Sequence, residues 1–383
     1  MRAKITPDIE PKAESMKAAV HPRQDIYYWK CDRPVAFYGI RGPSSQHSPV
    51  ELEQQLRPVL EERFPGQAIA LYPGQGQGNH TTFTGTIDDR PVFVRIEDGP
   101  EHDDYMEVES HVIDRVAAEG VPVAGVIAAD ASRTEVPFAW QVLARIAEPD
   151  LNHHAKAGVL RLSDLAGGIG RNLARWQNIR PKGFGPFDPA ILRNKGRLQG
   201  FHESYADYFF ARLDRHLAFL TEQGFLRGAL AAEFGHALRD YPRALECSTG
   251  VLVHKDLALW NILGAPDHIT AFIDWDDAIS GDVLDDISLL ACFHDGQVIA
   301  KVLAGYTETR ALPGDYRCRF WLHLLRNMIT KAVIRVGAGY FKRADNFFLI
   351  GPGGTGLSLE AATRRRLDMA LNGLRENTDP STL

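Results

Sequence analysis

The residues best suited to chemistry lie in one stretch, Val253-His254-Lys255-Asp256-Leu257-Ala258-Leu259-Trp260-Asn261-Ile262-Leu263, followed about ten residues later by Phe272-Ile273-Asp274-Trp275. The pattern is His-x-Asp-x-x-x-x-Asn, then an apolar strand ending in an aspartate and an aromatic. Phosphoryl transfer gives these residue types a reason to stand in this order. Its transition state is loose and highly charged, so a protein must position groups and cations more than it must form covalent bonds. One carboxylate has to face an incoming hydroxyl, a role that suits Asp256. Magnesium takes hard oxygen ligands, which suits the amide oxygen of Asn261 and the carboxylate of Asp274. His254 reads as a hydrogen-bonding residue that shapes the loop rather than as a base. A metal-dependent hydrolase is the competing reading of a lone His-x-Asp, but no second His or Cys stands nearby at ligand spacing.

The upstream half holds groups that fit a nucleotide. Pro73-Gly74-Gln75-Gly76-Gln77-Gly78-Asn79 lies between two strand-like segments, and its glycines would allow backbone N–H groups close to phosphates. An ordinary hairpin has the same composition. Arg95 ends the apolar run Val92-Phe93-Val94 and could pair with phosphates, and Glu109 on the next helix could hold that cation; a surface Arg and a helix Glu are the plain alternatives.

The elements that must position these groups follow from periodicity. Ser48-Pro49 opens a helix, an N-cap with proline at the first helical position, and Phe64-Pro65-Gly66 stops it. Strands are predicted at 68–72, 82–87 and 91–96, then a helix over Tyr105–Glu119 ended by Gly120, then strands at 123–128 and 138–146. The sequence is mostly helical from about residue 160, with apolar stripes over Asp164–Gln177 and Tyr205–Gln223. Two short strands flank a loop within Gly250–Asp277. Gly351-Pro352-Gly353-Gly354 has no strand leading into it and reads as a surface loop.

In this order the motifs resemble the aminoglycoside phosphotransferase/choline kinase family. The matching pieces are Gly76-Gln77-Gly78-Asn79 with Phe83, Arg95, Glu109, Gly120-Val121-Pro122-Val123, Gly183-Phe184-Gly185-Pro186, the His254–Asn261 loop, Asp274-Trp275, and Gly281-Asp282 with Asp286, over about residues 72 to 290. The resemblance implies an α+β, bilobal, protein-kinase-like fold with a small antiparallel-sheet N-lobe (48–147) and a mostly helical C-lobe (148–383). It implies ATP between the lobes, adenine against a linker at Leu143, Ala144 and Ile146, Asp256 as catalytic base, and Mg2+ on Asn261 and Asp274. Lys255 departs from the small residue usual between His and Asp, which sets a cation beside the transfer site. Arg95 and Val283 depart from the Lys and Pro that many relatives carry.

The acceptor is less defined. Asp276, Asp277, Asp282, Asp285 and Asp286 crowd the same stretch, and a negative cleft mouth would favour a cationic, hydroxylated small molecule: an amino alcohol such as choline, ethanolamine or aminopropanol, or an aminoglycoside. Helix-capping carboxylates are the alternative. Trp260 and Trp275 could face a cation through their rings or anchor the core. A non-catalytic nucleotide-binding pseudokinase is disfavoured because base, metal ligands and cation are all present. A protein kinase is disfavoured because no Asp-Phe-Gly leads to an Ala-Pro-Glu.

Composition narrows the remaining classes. The 383 residues carry a formal net charge of −6 with 44% hydrophobic and 24% charged residues, the balance of a globular protein with a full core. The densest basic run is Arg364-Arg365-Arg366, too little for a nucleic-acid backbone clamp. No segment is apolar over the roughly 20 residues needed to span a membrane. Four scattered cysteines form no CxxC pair, so reduced thiols and a cytoplasmic location are expected. Residues 1–47 form an N-terminal extension with an aromatic knot at Tyr27-Tyr28-Trp29 and no evident chemistry. Packing on a lobe, a homodimer or partner contact, and an address tag remain open uses for it.

Overall fold

The computed structural model describes residues 21–37, 45–74, 80–342 and 358–383. A one-turn helix α1 (Trp29–Asp32) precedes the first lobe. Helix α2 (Pro49–Arg63) starts where expected: Ser48 Oγ accepts the Glu51 N–H while the Glu51 carboxylate accepts the Ser48 N–H, a complete capping box. The strands β1 (Ile69–Pro73), β2 (Thr81–Ile87), β3 (Arg90–Glu97), β4 (Val126–Asp130) and β5 (Ala139–Ala144) form one antiparallel sheet in the order β1-β2-β3-β5-β4. Their alternation buries Phe83, Val92, Val94, Trp140 and Val142 against Leu52, Leu56 and Leu60 of α2. Helix α3 (Tyr105–Ala118) follows β3, and Gly120 closes it with a positive φ of 74°.

The second, larger core belongs to the helical half. Its helices are α4 (Leu151–Lys156), α5 (Leu162–Trp176), α6 (Pro189–Lys195), α7 (Tyr205–Phe210), α8 (Leu213–Glu222), α9 (Gly228–Arg239), α10 (Asp285–Leu290), α11 (Gly296–Thr307), α12 (Tyr316–Gly337) and α13 (Leu359–Glu376). Short strands β6 (Phe184–Phe187), β7 (Gly200–His202), β8 (Val251–Val253) and β11 (Ile279–Gly281) pair in the order β7-β6-β11-β8, and β9 (Ile262–Ala265) pairs with β10 (His268–Phe272). Helices α5 and α11 approach through glycines. A Cβ on Gly170 would sit 2.0 Å from the Val302 carbonyl, and one on Gly305 would sit 2.0 Å from that of Gly167. Among the described residues no helix is long and apolar enough to cross a membrane.

Two expectations change. The continuous helix predicted over Tyr205–Gln223 is two helices, because Arg212 takes a left-handed φ of 59°. The buried guanidinium of Arg326 stabilises the break, donating to the carbonyls of Phe209 (2.9 Å) and Ala211 (2.7 Å) that a continuing helix would have used. The N-terminal segment also has contacts that its composition did not reveal. From His21 to Asp32 it runs from Asp103 and Asp104 of the first lobe onto the helical lobe, with Ile26, Tyr27, Tyr28 and Trp29 buried; packing on the lobes is the use this structure displays.

Candidate active site

β8 delivers the His254–Asn261 loop into the crevice between the lobes. His254 is fully buried. Its Nδ1 accepts the Asp256 N–H (3.3 Å), so Nε2 carries the proton shared with the Ile273 carbonyl (2.9 Å). Burial lowers its pKa, which keeps this neutral tautomer in place. The Asp286 carboxylate accepts the N–H groups of His254 (2.8 Å) and Lys255 (3.0 Å) and fixes the other side of the loop. Lys255 and Asp274 both hold left-handed φ values, 67° and 65°. For non-glycine residues such φ values carry a strain of order 1–3 kcal/mol each, and they persist where the surroundings over-determine the backbone.

Asn261 Nδ2 donates to the Asp256 carbonyl (2.8 Å) and to Asp256 Oδ2 (3.1 Å). The Asn261 carbonyl accepts the Ile273 N–H (3.0 Å), which brings Asp274 alongside. On the sheet side, Arg95 of β3 donates to Glu109 of α3 (2.5 Å) and also reaches Asp274 (3.2 Å) and Asp276 (3.5 Å). Glu109 accepts the Trp275 N–H (3.1 Å). Thus Arg95, Glu109, Asn261, Asp256 and Asp274, from four separate segments, meet in one crevice.

The electrostatics separate these carboxyls. Burial alone would raise Asp256, but Lys30 and Lys331 overcome it and hold its carboxyl well below the usual carboxylate range. Burial, then the neighbouring Asp276, pushes Asp274 up to about 6 and Asp277 up to about 7. Burial raises Glu109 to about 7 against the pull of Arg95. Burial and the Arg95 charge push His80, which accepts from Arg95 at 3.0 Å, down to about 3.

Several expected residues stand elsewhere. Trp275, expected to face a cation, is fully buried; its ring packs 4.4 Å from His254 and edge-on to Trp176 at 5.3 Å, so it anchors the core. Lys255, expected beside the transfer site, is 1% exposed, and its ammonium is bound by Asp285 (2.8 Å) and the Tyr27 hydroxyl (3.0 Å). Asp282 pairs with Arg319 (2.7 Å). Of the acidic run, Asp274, Asp276 and Asp277 remain on the crevice wall. Leu143 is buried in β5, and the Ala144 N–H donates to the Gly125 carbonyl (2.9 Å), with Ile146 half-buried just beyond the strand. Gly76, Gly78 and Asn79 lie outside the described residues.

The sequence reading missed Tyr28, Lys30 and Lys331. The Tyr28 hydroxyl donates to Asp256 Oδ1 (2.7 Å), as does Lys331 (3.1 Å), and Lys30 donates to Oδ2 (2.6 Å). Lys331 is one of five Lys or Arg residues in α12, so its type alone did not single it out. No motif marks Tyr28 or Lys30.

Solved structures share this fold. A thermostable mutant of the aminoglycoside phosphotransferase APH(4)-Ia, solved with ADP and hygromycin B, superposes with a TM-score of 0.59 at 17% identity, over 83% of this chain and 98% of that one. A Thermobifida fusca protein provisionally assigned as a fructosamine-3-kinase gives 0.57 at 17% identity, over 83% and 98%. A Ralstonia eutropha JMP134 protein provisionally assigned as an aminoglycoside phosphotransferase gives 0.54 at 16% identity, over 85% and 97%. No curated protein matches the chain. Residues 71–321 match the model of the phosphotransferase enzyme family, and they contain the whole Arg95–Glu109–Asp256–Asn261–Asp274 crevice: the chain belongs to that family of kinase-like phosphotransferases.

Proposed function

We propose that this enzyme moves the terminal phosphoryl group of ATP onto a hydroxyl of a small amine-bearing molecule, with Asp256 as the base that receives the acceptor's proton. The observation carrying this reading is the link from Asp256 through Asn261 to the Asp274 strand end, opposite the Arg95–Glu109 pair. Asp256 stays ionised at neutral pH and is a weak base. That suits orienting a hydroxyl toward a loose transition state more than full proton removal beforehand. Arg95, held by Glu109, would present its guanidinium to the phosphates.

The donor set fits magnesium. Asn261 turns its nitrogen to Asp256, which leaves its amide oxygen for a cation. Asp274 offers a carboxylate that is 31% exposed, and the neighbouring Asp276 Oδ1 is buried with no hydrogen-bond partner among the described residues. Asn261 and Asp274 would hold the ion, which when bound neutralises charge on the phosphates.

For the acceptor, the carboxylates Asp256, Asp274, Asp276 and Asp277 gathered around the crevice support a cationic molecule through their combined field. Amino alcohols such as ethanolamine or aminopropanol fit this chemistry. The solved relatives named for hygromycin B and fructosamine support a second reading, an amine-bearing sugar, and both classes belong in one screen. The test is ADP release from MgATP with each compound. Turnover by the wild type that Asp256→Ala abolishes, with nucleotide binding retained, is the expected result; wild-type turnover in that variant would remove Asp256 as the base.

A further inference from the structure

The N-terminal segment does more than pack on the helical lobe. Arg23 forks onto Asp103 (2.6 to 3.1 Å), donates to the Asp276 carbonyl (2.6 Å) and stacks over Tyr105 (3.8 Å to the ring centre). Tyr208 donates to the Tyr27 carbonyl (2.9 Å), and Arg326 lies over the Tyr27 ring (3.6 Å). These anchors lay the next turn against Asp256.

A carboxylate offers about four lone-pair positions. On Asp256 four donors converge: Tyr28 Oη and Lys331 Nζ on Oδ1, Lys30 Nζ and Asn261 Nδ2 on Oδ2. An acceptor hydroxyl must donate to this same carboxylate, and in this arrangement no position is left for it. Lys331 comes from α12 and Asn261 from the catalytic loop, both rigid parts of the lobe. Tyr28 and Lys30 come from the N-terminal segment, where the Lys30 side chain is 36% exposed and sits on the single turn α1. One turn of helix is marginal on its own, so these two groups are the ones able to leave.

We propose that residues 21–33 are an intramolecular stand-in for the acceptor, with the Tyr28 hydroxyl in the place of the acceptor hydroxyl and the Lys30 ammonium in the place of its amine. The inference rests on Asp256 being the acceptor-side base, and it deepens that reading. One hydroxyl and one ammonium bound to the two oxygens of a single carboxylate correspond to a molecule whose alcohol and amine can reach one carboxylate together. The segment keeps the site closed until a molecule with that pairing displaces Tyr28 and Lys30. Lys30 also lies 3.9 Å from Asp277, so the incoming amine would gain a second carboxylate.

The experiment uses the full chain and the variants Lys30→Ala, Tyr28→Phe and the double variant. Ethanolamine, hygromycin B and fructosamine are the probes. Two quantities are read: KM and kcat for each probe from ADP release, and the alkylation rate of Cys31 by iodoacetamide, resolved by peptide mass spectrometry. Cys31 reports the segment because its thiol is held between the Tyr28 carbonyl (3.4 Å) and His216 (3.7 Å). If the closed arrangement holds about nine-tenths of the population, freeing it lowers the acceptor KM about tenfold and speeds Cys31 labelling about tenfold, with kcat retained. A raised KM or a collapsed kcat, at an unchanged melting temperature, would make Tyr28 and Lys30 part of the catalytic machinery and overturn the proposal. So would wild-type turnover with neither quantity altered in the variants. Absence of ADP release from the wild type and every variant would instead remove the amine-bearing acceptor on which the proposal stands.

Discussion

The two walls of the Asp256 crevice are built in different ways. On the nucleotide wall, the carboxyls of Glu109, Asp274 and Asp276 share the Arg95 guanidinium, and all three lie in α3 or just beyond the end of β10. On the acceptor wall, the charge of Asp256 is balanced by Lys30 from the N-terminal segment and Lys331 from α12, residues 226 and 75 positions away. On the proposed reading, the first wall would serve the part common to every reaction of this kind, a polyphosphate, and the second would meet the variable partner. The common chemistry would then rest on short, ordered motifs, and the acceptor chemistry on distant parts of the chain, one of which we propose the acceptor displaces.

The comparison can be broken at its centre. Asp256→Asn keeps the shape but removes the base, and turnover should fall by about 10²–10⁴-fold; it also leaves Lys30 and Lys331 facing a neutral amide, so initial rates and the urea midpoint should both be followed. On the nucleotide wall, Arg95→Leu leaves Glu109 buried without its cation, at a cost of about 3–5 kcal/mol in unfolding free energy, while the double variant with Glu109→Leu should recover a large part of it. A loss in the double variant equal to the sum of the two single losses would show that the pair is not a unit. On the acceptor wall, Arg23→Ala removes the fork on Asp103 and should cost about 2–4 kcal/mol, since Asp103 is then left unpaired. It should also loosen the N-terminal segment, read as faster alkylation of Cys31.

The smallest effect concerns pH. Burial opposes ionisation of Asp104, yet hydrogen bonds from His21 (2.6 Å) and Arg193 (2.6 Å) hold its carboxyl down at about 2. A carboxyl lowered on folding adds stability that is present above its unfolded value of 3.8 and is lost as pH falls through about 2. Asp104→Asn should therefore cost about 1 kcal/mol at pH 7, discounted for partial exposure, and flatten the acid limb of the stability curve between pH 4 and 2. An acid limb identical to wild type would show that the segment's first anchor contributes nothing.

Much of the fold was legible because it is local. Ser48 and Glu51 state the start of α2, Gly120 states the end of α3, and alternation over residues 91–96 states β3. The loop with Asp256 and Asn261 was legible because its chemistry fixes residue types at fixed spacing. Arg95 and Glu109 could be named by their order, and their contact is a hydrogen bond across 14 positions. The break between α7 and α8 was hidden because the apolar stripe continues through it; Arg326, more than a hundred positions away, decides it. Lys255 and Trp275 could be placed on the right loop, but whether their side chains faced solvent or the core depended on Asp285, Tyr27 and Trp176.

The amino-acid sequence by itself determined the kind of reaction, since a loose, charged transition state demands a carboxylate, oxygen ligands and a cation in a set order. Only the tertiary structure decided what stands against Asp256, because the balance of a buried charge depends on distance in space, and Tyr28, Lys30 and Lys331 become its neighbours only when the chain is folded.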